Sequence, residues 1–328
     1  MSDQGISIVI PVHNSARYLK DCINSVLSQV NEHTEILIIE NGSTDNTPEI
    51  CKKIAKEEHN IQYIEISAVG VSVARNTGIV KASKDYIIFL DSDDMLQPGA
   101  ISIINKMMSN DIDILLFQYS NLYPKKTDST GIRSVNKDSL LLSILQYRKN
   151  NKKLGPGIVD AISVWTCWGK CYRTAFLREN NVIFPENITH SEDTFFFFKA
   201  VNKAHSIFVS DAIVYFYRKN EYSVTRSVKC SKENNIRVIH AFENYRVNHL
   251  EYFKYTSEFN SFYILKVLDL LFLYDRHVIN DLLYDPFIKN VIKNASIHDL
   301  SVGKKRWFKY VTGLLYLKMA SSCLEDKN

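Results

Sequence analysis

The sequence predicts an α/β fold: a Rossmann-like, mainly parallel sheet flanked by helices, with a C-terminal helical region. Three observations predict it. Short, continuously apolar runs alternate with amphipathic helical patterns through the first half, these runs end in turn-forming and acidic residues, and from Cys230 onward the pattern is mostly helical. Runs that are β-branched or aromatic on both faces suit strands covered on both sides. Helical crossovers between such strands make neighbours parallel and place ligand sites at their carboxyl ends.

Ile6 to Val12 reads as the first buried strand, and Ala16 to Val30 as a helix with Leu19, Cys22, Ile23, Val26, Leu27 and Val30 on one face. Glu35 to Ile39 is a second strand, leading through the turn chemistry of Glu40 to Asp45 into a helix near Thr47 to Glu58. Ile61 to Ile66, a helix over Val71 to Ala82, and the strand Tyr86 to Leu90 continue the alternation. A helix near Pro98 to Ser109 and a strand at Asp113 to Tyr119 follow. Polar Tyr123 to Lys137 reads as a surface connection, and helical spacing resumes near Ser139 to Lys149. Ser191 suits an N-cap for the helix that carries Phe195 to Phe198 into the core.

Composition narrows the function classes. The chain of 328 residues is 45% hydrophobic, enough for a large core in one elaborate domain or two. Met1 to Gly5 has no basic leader region, and no stretch approaches the ~20 apolar residues of a membrane span. Six scattered cysteines without a CxxC pair point to a reduced, cytoplasmic protein and give little support to a structural zinc site. The net charge of +4 matches the basic excess of residues 301–328 alone, so the body of the chain is balanced and a nucleic-acid-binding surface is not expected.

The chemistry gathers where strands end. Tyr86 to Leu90 runs into Asp91-Ser92-Asp93-Asp94, acids that repel one another unless a hard divalent cation, Mg²⁺ or Mn²⁺, sits among them with phosphates; a solvated turn is the plainer alternative. Gly70 to Gly78 opens a helix whose start can face an anion. Its Arg75 can pair with a phosphate or, structurally, with the acids.

Taken in order, Ser7 to Asn14 (SIVIPVHN), Cys22 to Gln29, Glu40 to Thr47 (ENGSTDNT), Ala74 to Gly78 (ARNTG) and Asp91-Ser92-Asp93 resemble the family 2 glycosyltransferases of the GT-A fold, a likeness extending to about Arg226. The resemblance implies inverting transfer of a sugar from a nucleotide diphosphate donor, usually UDP-linked, to an acceptor on a growing cell-envelope or capsular glycan, free or lipid-linked. It implies a donor-binding half over residues 1–110, an acceptor-binding and catalytic half over 111–228, and an appended helical region over 229–328. Asp91 and Asp93 would hold the metal and diphosphate, Ser92 between them would line the donor, and Pro11, Val12 and Asn14 would flank the base. Glu40 would take the place of an acid that contacts base or ribose; many relatives carry two adjacent aspartates there, whereas this chain has Glu40-Asn41, which also reads as a plain turn. Asp193, the second acid of Glu192-Asp193, would be the base that deprotonates the acceptor, with Glu192 as orienter or acceptor contact; acids in a first helical turn are also favoured by the helix dipole alone. Trp168 and Lys170, in the aromatic cluster Trp165 to Tyr172, would face the acceptor, although such a cluster is as readily core. Asp94 would contact sugar or cap a turn, and Tyr215 to Arg218 with Ser223 to Arg226 would close over the donor, Arg226 on the diphosphate.

Lys304 to Met319 forms an amphipathic pattern, with Trp307, Phe308, Val311, Leu314, Leu315 and Met319 on one arc and Lys305, Arg306 and Lys309 opposite. This suits peripheral contact with the inner face of a membrane, or packing on the chain itself or on a second copy in a homo-oligomer. A nucleotide-sugar-binding or scaffolding subunit without catalysis is the alternative reading of the whole chain.

Overall fold

The computed structural model describes residues 4–67, 70–125, 131–145, 162–219, 232–273, 283–295, 300, 310–318 and 321. The chain divides into two compact units, residues 1–141 with 151–224, and residues 142–150 with 225–328.

The first unit is built on one sheet. Its strands are β1 (Ile6–Val12), β2 (Thr34–Glu40), β3 (Ile61–Glu65), β4 (Tyr86–Phe89), β5 (Met95–Leu96), β6 (Ile114–Ser120), β7 (Ile132–Ser134), β8 (Lys170–Arg173) and β9 (Ile207–Phe216). Their order is β3-β2-β1-β4-β8-β6-β9-β5, with β7 also on β9. The first four are mutually parallel, as the alternation predicts, and β6 runs parallel to β9. Four strands were not legible as strands: β5 and β7 are too short to show a period, β8 lies within the aromatic cluster, and in β9 Ser210-Asp211 interrupts the apolar run. Tyr215 and Phe216, expected in a closing segment, instead finish β9 inside the sheet.

Helices α1 (Leu19–Leu27), α2 (Thr47–Glu57), α3 (Val71–Lys81), α4 (Ala100–Met107), α5 (Lys137–Leu145), α6 (Thr174–Glu179) and α7 (Glu192–Lys203) link the strands. Every residue of β1 is buried, so helices must cover both faces around it. On α3, Gly78 makes this close fit: a Cβ there would lie 2.3 Å from Val9 Cγ1. The absent side chain lets α3 lie directly on β1, which fixes Arg75 one turn earlier on the same helix.

Insertion of β8 is what shapes the site. It runs antiparallel between β4 and β6, with Ile88 opposite Cys171, so the loop preceding β8 is delivered to the carboxyl end of β4. That is the end at which Asp91 stands.

The second unit contains α8 (Lys232–Val247), a 3₁₀ turn (Leu250–Tyr255), α9 (Thr256–Leu273) and α10 (Pro286–Asn294). Val238, Ile239 and Phe242 of α8 and Phe259, Phe262 and Leu265 of α9 are buried, and the Phe242 and Phe262 rings lie 4.7 Å apart. Asp285 caps α10 by accepting from the Phe287 and Ile288 amides, and its other oxygen meets His240 Nε2 at 2.7 Å. Residues 310–318 are helical. Tyr310, Leu314 and Leu317 are buried while Leu315 is 50% exposed, so the buried face is rotated from the predicted arc and Leu315 falls off it. Residues 304–309 and Met319 of that arc lie outside the described residues. No helix among the described residues is long and apolar enough to cross a membrane.

Candidate active site

The site is assembled around Arg75. Its guanidinium is 4% exposed and faces three carboxylates: Nη2 donates to Asp91 Oδ1 at 3.0 Å, and Nη1 to Glu192 Oε1 at 3.1 Å and Asp193 Oδ1 at 2.6 Å. One buried cation thus ties the acid at the end of β4 to the acids that open α7. Of the two partners the sequence allows for Arg75, phosphate or acid, this structure shows the acids.

Asp193 is held on both oxygens, since Oδ2 accepts from the Cys167 amide at 3.2 Å. Thr194 Oγ1 donates to the Trp165 carbonyl at 3.1 Å, joining the first turn of α7 to the same loop. Ser191 stands at the N-cap with φ 67°, and its side chain does not cap the helix as predicted. The left-handed backbone turns the chain abruptly there, so that Glu192 and Asp193 enter the helix facing Arg75. Desolvation raises the Asp91 carboxyl to about 6, against the pull of Arg75, with repulsion from Asp193 and Asp93 adding to the rise. Burial, then repulsion from Asp193, lifts Glu192 to about 8, with Arg75 opposing.

Asp94 is turned inward. It is 1% exposed, and its carboxylate accepts from the Tyr215 hydroxyl at 2.7 Å and the Arg218 amide at 2.8 Å. Burial, then repulsion from Asp91 and Asp93, lifts its carboxyl to about 8. Arg218 Nε also donates to the Asp93 carbonyl at 2.8 Å, so the end of β9 is strapped onto the acidic loop. The Asp93 carboxylate itself has no protein partner among the described residues.

Trp168 and Lys170 are likewise interior. The Trp168 indole is 7% exposed, stacked 4.6 Å from Tyr215 and 5.5 Å from Tyr217, leaving no open face of the kind a sugar would need. Lys170 is 1% exposed, and its ammonium donates to the carbonyls of Ser163 (2.7 Å), Thr166 (2.6 Å) and Trp168 (3.1 Å). Burial pulls its amine down to about 7. It braces the loop from within.

The carboxyl ends of β1 and β2 form the neighbouring wall. Pro11 and Val12 are buried and Asn14 is exposed. Asn14, at φ 50°, accepts on Oδ1 from the Thr44 and Asp45 amides, binding the two loops together. Glu40 is 2% exposed and accepts from the Gly42 and Ser43 amides, so here it holds a turn rather than projecting toward a base. Ser92 meets Ser15 at 2.6 Å between hydroxyls, joining the acidic loop to β1's loop. Arg226 lies outside the described residues.

No group of three or more His, Cys, Asp or Glu among the described residues forms a protein-only metal cage. The donor set nevertheless fits Mg²⁺ or Mn²⁺, which bind through one or two carboxylates and complete their shell with phosphate and water. Asp93 offers an unpartnered carboxylate, and Asp91 keeps Oδ2 outside its bond to Arg75. Sequence reasoning missed Tyr215 as a partner of Asp94, and the Cys167 amide, a backbone group that no side-chain pattern announces.

Residues 7–166 match the model described as "Glycosyl transferase family 2". The chain is 36% identical over 185 residues to glycosyltransferase GlyA of Streptococcus pneumoniae, covering 54% of this chain and 25% of that protein. It is 30% identical over 218 residues to the poly(ribitol-phosphate) beta-glucosyltransferase of Bacillus spizizenii, covering 65% and 32%. The chain spans between 25% and 64% of the length of the first curated relatives it matches. Residues 1–349 of TarS from S. aureus, solved with UDP-GlcNAc, superpose with a TM-score of 0.64 at 19% identity, covering 98% of this chain and 92% of that one. The parallel sheet and the solved neighbour agree that the chain has the GT-A fold, and its residues 7–166 are similar to glycosyl transferase family 2.

Proposed function

We propose that this chain is a metal-dependent, inverting glycosyltransferase that moves a hexosyl or N-acetylhexosaminyl unit from a nucleotide diphosphate sugar, UDP-linked, to a hydroxyl of an envelope glycan or glycosylated polymer. The observation that carries the reading is the Arg75 clamp, which holds Asp91 of the acidic loop and Asp193 of α7 on one guanidinium. An inverting transfer needs this pairing of a leaving-group side with a base, because the acceptor oxygen attacks opposite the departing diphosphate.

In this reading Asp193 takes the proton from the acceptor hydroxyl. Arg75 and the Cys167 amide fix its two oxygens, and each oxygen keeps a lone pair for the substrate. Glu192, neutral at pH 7 because its carboxyl is raised to about 8, adds little repulsion beside the base and retains an O–H to donate to the acceptor. Asp93 and Asp91 are the groups that would hold Mn²⁺ or Mg²⁺, whose charge would stabilise the diphosphate as it leaves. Pro11, Val12 and Asn14 would flank the base, and Arg226, outside the described residues, is assigned to the diphosphate by the family resemblance alone. TarS, solved with UDP-GlcNAc, supports a UDP donor, and the poly(ribitol-phosphate) glucosyltransferase supports a polymer acceptor.

The test is release of nucleotide from a panel of UDP-, GDP- and dTDP-sugars with Mn²⁺, Mg²⁺ or EDTA. Metal-dependent release of UDP supports the proposal. Turnover confined to GDP- or dTDP-sugars overturns the choice of nucleotide, and donor binding without release under every condition favours a non-catalytic subunit.

A further inference from the structure

The peptide between Thr166 and Cys167 touches two charged groups. Its carbonyl, on Thr166, accepts from the Lys170 ammonium at 2.6 Å, and its N–H, on Cys167, donates to Asp193 Oδ2 at 3.2 Å. We propose that Lys170 is a positioning residue that acts on Asp193 through this single peptide, orienting the Cys167 N–H and polarising it toward the carboxylate. The inference rests on the reading of Asp193 as base.

The surroundings favour this role over simple filling of the core. An ammonium at a carbonyl oxygen draws electron density from the amide and strengthens its N–H as a donor, an effect enlarged in a dry interior. Lys170 also holds the carbonyls of Ser163 and Trp168, so the peptide cannot rotate without breaking bonds on either side of it. Its ammonium lies 4.5 Å from the centroid of the Phe197 ring on α7, the helix that Asp193 opens. A Met would fill the volume at lower cost to desolvation, so a buried lysine bonded to three carbonyls calls for a purpose. The charged or titratable groups facing Asp193 are Arg75 from α3, Asp91 from the loop after β4, Glu192 from α7, Cys167 from the loop before β8, and Lys170 and Tyr172 from β8. Among the described residues Lys170 and Arg75 are the cations facing it, so removing Lys170 leaves Arg75 as the cation of that set holding the anion.

The experiment compares full-length K170M and K170Q with wild type, each first checked for a native circular dichroism spectrum. Expected is a fall in kcat of about tenfold or more with donor KM within about twofold, and an acid limb of the kcat profile displaced to higher pH, because a carboxylate that loses cationic support becomes more basic. K170Q retains a donor and similar length, so it serves if K170M does not fold. In the D193N background the same substitutions should add almost nothing. An acid limb that stays in place, or a loss in D193N as large as in wild type, overturns the proposal. Wild-type turnover by D193N itself instead overturns the assignment of the base, whatever Lys170 does.

Discussion

Arg75 carries more of the site than any other residue, and its environment sets what its loss must do. Removing one partner of a buried ion network leaves uncompensated charge, a cost of about 3–5 kcal/mol, and here the Asp91 and Asp193 carboxylates would face each other without a cation. R75M should therefore lower the unfolding free energy measured by urea titration by an amount in that range and abolish transfer, whereas the lysine of R75K cannot reach Asp91, Glu192 and Asp193 together and should recover little. Asp94 makes the opposite kind of prediction. Its folded-state carboxyl is raised to about 8 from an ordinary value near 4, so its contribution to stability is fully present below pH ~4 and is lost as pH rises toward 8. D94N, whose amide oxygen still accepts from Tyr215, should flatten the decline of Tm between pH 5 and 8 in metal-free protein. An unchanged slope would show that the Asp94 titration is not felt by the fold.

At the scale of elements, the close seat of α3 on β1 fixes Arg75 in depth. A Cβ at Gly78 would meet Val9 Cγ1 at 2.3 Å, and β1 is buried along its whole length, so the strand has nowhere to retreat. G78A should cost about 1–3 kcal/mol in denaturant unfolding, and adding V9A should restore part of it, a coupling that independent sites would not display. The parallel strands β1, β2 and β4 were legible as short, largely apolar runs bounded by turn residues between helical patterns, and β3 by its place in that alternation. By contrast β5, with two residues, and β7, with three, are too short for any period, and β8 is defined by what it pairs with. The acids of the site were legible by type and spacing. Their partners were not: Asp94 turned inward to Tyr215 across 121 positions of sequence, and Asp193 found a backbone amide. The burial of Trp168 and Lys170 was not legible, because it depends on β8 lying inside the sheet.

For the whole molecule, glycosyl transfer by this chain is a claim about two ends of one clamp acting together. On the proposed mechanism, the acidic loop without Asp193 would still bind donor, and α7 without the loop would have no leaving group to oppose. The helical unit enters this account only through its own core, in which Leu314 and Leu317 are buried and Leu315 is half exposed. The most direct measurement is UDP release with Mn²⁺ by wild type and D193N at saturating UDP-sugar and acceptor, with donor affinity determined in parallel by calorimetry. The account predicts a loss of at least about 10²-fold in kcat, of the size general-base removal produces, with donor affinity within about threefold of wild type. Turnover by D193N at the wild-type rate would contradict it.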